Sequence, residues 1–285
     1  MTIQAAFVQL ISTLTPIHGD REAASIAHIL MEHVTGFGRM DRIVYKDKEL
    51  TEDQGVQLEN ALQAMLRHTP VQYVTGTGWF YGLELKVTPD VLIPRPETEE
   101  LAEWIIEDVK KTGMHPDILD IGTGSGAIPL AIKHNLPLAT VSAIDISAGA
   151  LAVAKENAEK LSLEVNFSLV DVLDEKATAA LPVFDIIVSN PPYICDHESA
   201  GMQEQVVSYE PNIALFVPDN DPLRFYRRIG LLAQEKLVPG GSLYFEINEA
   251  YGAETVSLLQ EQGYVQVILK QDLFGKDRMV KATKL

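Results

Sequence analysis

The chain has a single cysteine, Cys195, so no internal disulfide can form; that accords with a reducing compartment. It is poor in positive charge, with 23 Lys and Arg against 40 Asp and Glu and a formal net charge of −17. So acidic a chain repels nucleic-acid phosphates, which argues against a nucleic acid as its direct substrate. No apolar run approaches the roughly 20 residues that a membrane span needs. The opening MTIQAAFVQLISTL has neither a basic region nor a small-residue cleavage site, so no signal peptide is expected and the location reads as cytoplasmic. CxxC and HExxH patterns are missing and the seven histidines are scattered, so no metal is expected. There are no internal repeats and no low-complexity tracts.

What is present is an ordinary globular composition, 46% hydrophobic and 22% charged over 285 residues, long enough for one small and one larger domain. Residues 1–75 read as a helical bundle. Phe7, Leu10, Ile11 and Leu14 repeat at helical spacing, and after a break at His18-Gly19-Asp20 so do Ala23, Ile26, Ala27, Leu30 and Val34. Thr51 with Gln54 forms a capping box ahead of Leu58, Ala61, Leu62 and Met65. Residues 76–95 place Gly76, Gly78 and Gly82 among aromatic and β-branched residues, the pattern of a hairpin linker. Residues 96–285 form the third region, an α/β domain.

From Asp117 the pattern turns to strand, turn, helix. A first strand, Asp117-Ile-Leu-Asp-Ile121, enters Gly122-Thr123-Gly124-Ser125-Gly126. Glycines there let the backbone approach a ligand closely. The spacing is GxGxG rather than the dinucleotide GxGxxG, and the acidic Asp120 beside the turn would repel a pyrophosphate. A second strand ends at Asp145, about 20 residues past the glycines, where a carboxylate can take both ribose hydroxyls. A third ends near Asp171-Val172, with Val172 an apolar wall for an adenine. The fourth strand, Phe184-Asp-Ile-Ile-Val-Ser189, runs into Asn190-Pro191-Pro192-Tyr193. Two prolines stop the strand and stiffen the corner. Asn190 offers an acceptor and a donor in one plane and the Pro191 carbonyl a second acceptor, while Tyr193 can stack on a flat group. Such a set suits a planar substrate bearing NH2, a carboxamide or an adenine edge. In a doubly wound sheet of order 3-2-1-4-5, the glycine turn and this corner share one crevice. The two closing strands, Val265–Leu269 and Asp277–Ala282, are joined so briefly that they must form a hairpin, which makes the last strand antiparallel.

Taken together, IPRPETE, DIGTGSGAI, AIDIS, NPPYI, YEP and DLFGKDR resemble the HemK/PrmC family of class I S-adenosylmethionine-dependent methyltransferases. The resemblance implies a doubly wound, mostly parallel seven-stranded methyltransferase sheet with an antiparallel last strand, beside an N-terminal helical bundle that docks release factors. It implies transfer of methyl from S-adenosylmethionine, leaving S-adenosylhomocysteine, to N5 of the glutamine in the GGQ motif of peptide-chain release factors 1 and 2, a modification that modulates translation termination. Gly122, Thr123, Gly124, Ser125, Gly126, Asp145, Val172 and Asn190 would hold the cofactor. Asn190, Pro191, Pro192 and Tyr193 would hold the glutamine, and Asn190, Pro191 and Tyr193 would carry catalysis, in a monomer. Sister activities on a ribosomal-protein glutamine or on adenine N6 of DNA fit NPPY as well. Two stretches depart from the family pattern, Asn248-Glu-Ala-Tyr251 and Phe216-Val-Pro218.

Overall fold

The computed structural model describes residues 1–202 and 204–285. They form two compact units. The smaller holds residues 1–77 together with the short helix Glu204–Tyr209. Its helical stretch Ile3–Thr35 breaks at Gly19, whose φ of 74° and ψ of 165° are outside the helical region. Thr51 and Gln54 close the expected capping box on the helix Glu52–Leu66. Leu10, Leu14, Leu30, Met31, Leu62 and Met65 fill the core of this unit. Glu204–Tyr209 joins it by a hydrogen bond from the Tyr209 hydroxyl to the Arg67 carbonyl.

In the larger unit the hairpin comes first, with strands β1 (Thr77–Phe80, its first residue shared with the smaller unit) and β2 (Leu83–Lys86). Tyr81 and Gly82, at φ 50° and 78°, make the two-residue turn between them, the left-handed pair that matches strand twist. Phe80, Leu83 and Leu85 are buried in the core of the larger unit, so this segment packs as part of that unit rather than spanning a gap.

The main sheet has seven strands: β3 (Asp117–Ile121), β4 (Thr140–Asp145), β5 (Asn166–Leu169), β6 (Phe184–Ser189), then, after the short β7 (Ile194–Cys195) and β8 (Phe216–Val217), β9 (Leu237–Glu246), β10 (Val265–Gln271) and β11 (Asp277–Thr283). Across the sheet the order is β5-β4-β3-β6-β9-β11-β10. Strands β3, β4, β5, β6 and β9 run parallel, and β11 is antiparallel to both neighbours. The closing hairpin explains the interloper: β10 and β11 are joined by a short turn, so β11 must run back, and it does so between β10 and β9.

Alternate residues of each central strand go to opposite faces. Ile118, Ile186 and Val188 meet the helices Pro96–Thr112 and Ala127–Asn135 on one side. Leu119, Ile121 and Ile187 meet the helix Arg224–Lys236 on the other. Burial on both faces accounts for the near-continuous apolar runs in β3 and β6. None of the helices among the described residues is long and apolar enough to cross a membrane.

Candidate active site

The register of the parallel strands builds the site. Ile121, the last residue of β3, pairs with Ile144 of β4 on one side and with Ser189 of β6 on the other, and Ser189 pairs with Phe245 of β9. Gly122, Asp145, Asn190 and Glu246 therefore all emerge at one level of the carboxyl edge, each one residue past its paired strand residue. The Ser189 hydroxyl donates to the Ile121 carbonyl at 2.7 Å and fastens the two strand ends together. A cavity of about 360 Å³ opens there. Its floor includes Gly122, Gly124 and Asp145, its wall Val170, Asp171 and Val172, and its far end Asn190, Pro191 and Pro192. Pro211, Ile213, Phe216 and Pro218, from the segment after Glu210, also line it.

The glycine turn needs its glycines for two different reasons. Gly124 has φ 55° with nothing near where a Cβ would stand, so its backbone faces open cavity. Gly126, at φ 82°, would put a Cβ at 3.1 Å from Leu130 and 3.2 Å from Ala154, so it serves close packing of two helices on the turn. Thr123 and Ser125 are buried, and neither they nor Gly126 belong to the cavity lining. The Ser125 carbonyl instead accepts from Asn157 at 2.9 Å.

Asp145 accepts from Gly124 N–H at 2.9 Å and from Ser147 N–H at 2.8 Å, one to each carboxylate oxygen. Those bonds aim the carboxylate while leaving lone pairs for two further donors. Asp120 is wholly buried one residue before the cavity wall, and neither oxygen has a hydrogen-bond partner of good geometry. Burial pushes its pKa up to about 7, the Thr123 hydroxyl pulling it down somewhat and the Asp145 charge raising it further. A buried charge without a partner is costly, which is why burial favours the protonated form here.

The Asn-Pro corner is held by contacts remote in sequence. Asn190 Nδ2 donates to Thr98 Oγ1 at 3.1 Å, and Thr98 Oγ1 donates to Glu246 Oε2 at 2.6 Å. The Tyr193 hydroxyl donates to Glu246 Oε1 at 3.0 Å. Tyr193 thus turns its polar end to a buried carboxylate and does not belong to the cavity lining. Burial, reinforced by the Glu246 charge, holds its phenol well above the usual tyrosine range. Asn248, in the departure after β9, donates to the Tyr193 carbonyl at 3.1 Å and to Glu198 at 3.0 Å, bracing the same loop. Arg95 pairs with Glu210 at 2.6 Å, and Glu210 also accepts from Ile93 N–H at 3.1 Å. That buried carboxylate anchors the lining segment where it begins. Cys195, His197 and Asp219 bring possible ligand atoms within 4.8 Å of one another, but each is already engaged: His197 Nδ1 with Asp219 at 2.7 Å, and the thiol with the Tyr251 hydroxyl at 3.4 Å.

Thr98 and Glu246, which brace the Asn-Pro corner, are not singled out by the sequence. The signal was there for Glu246, a carboxylate closing the otherwise apolar run Leu243-Tyr-Phe245. Thr98 carried none, since a threonine in the first turn of a helix has many ordinary uses.

The family model "PrmC N-terminal domain" matches residues 7–76 and "Methyltransferase small domain" matches residues 98–209. A release factor glutamine methyltransferase of Flavobacterium psychrophilum is 42% identical over 283 residues, 99% of each chain. One of Bacteroides thetaiotaomicron is 42% identical over 275 residues, 95% of this chain and 96% of the other. Among solved structures, a methyltransferase of Pyrococcus furiosus superposes with TM-score 0.50 at 18% identity, over 79% of this chain and 98% of that one. A T. thermophilus 16S rRNA methyltransferase in complex with AdoMet and guanosine reaches 0.51 at 20% identity, over 73% and 50%. At that identity the two structures speak to the fold alone.

Proposed function

Since the chain belongs to the release factor glutamine methyltransferase family, we propose that it methylates N5 of the glutamine in the GGQ motif of release factors 1 and 2, with S-adenosylmethionine as donor. One observation carries the reading. The glycine turn and the Asn-Pro corner leave adjacent strands at the same level and line a single cavity, so a nucleoside on one meets a planar amide on the other.

The residues fit the cofactor. The paired ribose hydroxyls suit Asp145, the adenine suits the apolar wall at Val172, and the ammonium of the amino-acid end supplies the cation that Asp120 lacks. Bound there, S-adenosylmethionine supplies an electrophilic sulfonium methyl. Everything else falls to this chain's own groups. An amide nitrogen is a weak nucleophile because its lone pair is delocalised into the carbonyl. The corner must hold it at near-attack distance, about 3 Å from the methyl carbon. Asn190 Oδ1 and the Pro191 carbonyl accept its two hydrogens. As positive charge grows on the nitrogen those bonds strengthen, which favours the transition state over the ground state. The stiffness of two consecutive prolines keeps both acceptors in place without reorganisation.

The test is incubation with labelled S-adenosylmethionine and intact release factor, comparing the native factor with one whose GGQ glutamine is alanine. Label should enter only the native factor. Equal labelling of both would place the target elsewhere, and label appearing instead in a ribosomal-protein glutamine or in DNA adenine would favour the sister activities.

A further inference from the structure

We propose that Glu246, acting through the Thr98 hydroxyl, decides which end of the Asn190 carboxamide faces the substrate, and so controls the rate of the chemical step. This rests on the reading above, in which Asn190 grips the substrate amide.

An asparagine side chain is nearly symmetric in shape, with an acceptor and a donor at its two tips. Only one orientation works here. The substrate nitrogen brings two hydrogens, so the cleft must receive Oδ1; an NH2 pointed at an NH2 would repel it. Nothing in the neighbouring sequence chooses between the two, because Asn190 lies just past the end of β6 and is followed by prolines that donate no hydrogen bond.

The choice comes from a directional chain of hydrogen bonds. Glu246 is only 1% exposed, and both of its oxygens take hydroxyl donors, from Thr98 at 2.6 Å and from Tyr193 at 3.0 Å. An ionised carboxylate only accepts. The Thr98 hydroxyl has one proton, and that proton is committed to Glu246. Towards Asn190 it can only accept, which requires Asn190 to present Nδ2. The carbonyl end is then left to the cleft. Thr98 is itself 5% exposed, so water does not compete readily for either bond, and such buried chains reinforce one another.

Burial raises the pKa of Glu246, while the Thr98 and Tyr193 hydroxyls that donate to it favour its ionised form. Tyr193 turns to it a phenol that burial keeps protonated. Arg278 of β11 lends its charge against the opposing influence of burial, the first cause of a raised pKa at Glu246, and of Glu97. Protonated Glu246 could donate to Thr98 instead. The Thr98 proton would then be released towards Asn190, and the carboxamide could turn over.

Three full-length variants test this: Thr98→Val, which keeps the shape and removes the hydroxyl, Thr98→Ser, which keeps the hydroxyl, and Glu246→Gln, whose NH2 can donate to Thr98. With release factor and saturating S-adenosylmethionine, Thr98→Val and Glu246→Gln should lose about 10- to 100-fold in kcat, the range seen when supporting partners of a functional group are removed. KM for release factor and the cofactor Kd should stay within about threefold, because neither Thr98 nor Glu246 lines the cavity. Thr98→Ser should keep most of the rate.

A second readout needs no activity. In protein labelled with 15N-asparagine, the Asn190 side-chain NH2, assigned by its loss in Asn190→Asp, should exchange hydrogen slowly in the wild type and in Thr98→Ser. It should exchange at least about tenfold faster in Thr98→Val. Equal exchange in the wild type and Thr98→Val, wild-type kcat in a folded Thr98→Val or Glu246→Gln, or Thr98→Ser as slow as Thr98→Val would each overturn the relay. Should Thr98→Val not fold, Glu246→Gln carries the same two readouts. A wild type that binds S-adenosylmethionine but methylates no release factor would count against the proposed function alone, with the exchange measurement still deciding the relay.

Discussion

The two halves of the carboxyl edge are built in opposite ways. The half over β3, β4 and β5 is held by bonds of short reach: Asp145 is aimed by Ser147, 2 residues away, and by Gly124, 21 residues away. The half over β6 and β9 is held by bonds of long reach: Asn190 to Thr98 spans 92 residues and Thr98 to Glu246 spans 148. The first is mostly backbone, with glycines admitting a ligand to the chain itself. The second is side chains locked to side chains out of water. A nucleoside can be gripped by a standard strand-turn-helix unit that recurs wherever such a ligand is bound. Orienting a weakly nucleophilic amide requires a fixed rotamer, and a rotamer is fixed only by packing and partners from elsewhere in the fold.

If this division is right, the two halves should fail differently. The largest effect belongs to the amide half. Asn190→Ala should lower single-turnover methyl transfer by about 100- to 1,000-fold, the cost of removing one preorganised partner of the developing charge. Its cofactor Kd, measured by calorimetry, should move less than about threefold; lost cofactor binding with intact turnover of the bound enzyme would merge the two halves. Next comes the nucleoside half. Asp145→Ala removes charge-assisted hydrogen bonds worth about 1.5–3 kcal/mol each and should weaken cofactor binding about 100-fold, with kcat at saturation within a few-fold. An unchanged Kd would dismiss the ribose assignment.

A smaller effect depends on pH. In the free protein burial holds Asp120 up to about 7, against about 3.9 for an unfolded aspartate. The folded state therefore keeps a proton across that window that the unfolded state has lost. From this group alone, stability of the free protein is greatest below the window and falls as pH rises through it. A cofactor ammonium favours the ionised form, so cofactor affinity should rise with pH, by at most about tenfold per unit below pH 7, and level off above. Asp120→Asn should flatten that slope in a titration of Kd against pH; a slope surviving the substitution would assign it to another group. The smallest effect tests the local construction of the turn. Gly126→Ala forces a Cβ into the left-handed region and against Leu130 and Ala154, and should cost about 1–2 kcal/mol of stability in denaturant unfolding. Kinetics of the remaining folded enzyme should change little.

The same division explains how much could be read in advance. The strands β3, β4 and β6, the glycine turn, the acid at Asp145 and the proline-stiffened corner all announce themselves within a few residues of sequence. Their shared crevice follows from strand order, and the antiparallel last strand follows from a hairpin too short to cross over. Asn190 was legible as a residue but not as an oriented one. By residue type its amide offers both tips to a substrate, whereas in the fold the donor tip is engaged by Thr98. Tyr193 was read as a stacking surface, and the fold turns its hydroxyl to Glu246. Residues 76–95 read as a hairpin linker in the sequence, and in the fold Phe80 and Leu85 of that hairpin are fully buried in the larger unit.

Local pattern thus sufficed to specify the elements, their order and the cavity-lining turns, because backbone geometry and alternating burial act over a few residues and leave their period in the chain. The partners of Asn190, Tyr193, Thr98 and Glu246 were decided by folding alone. Each depends on a hydrogen bond between residues some 50 to 150 positions apart, and no spacing in a sequence records which distant donor will find which acceptor once water is gone.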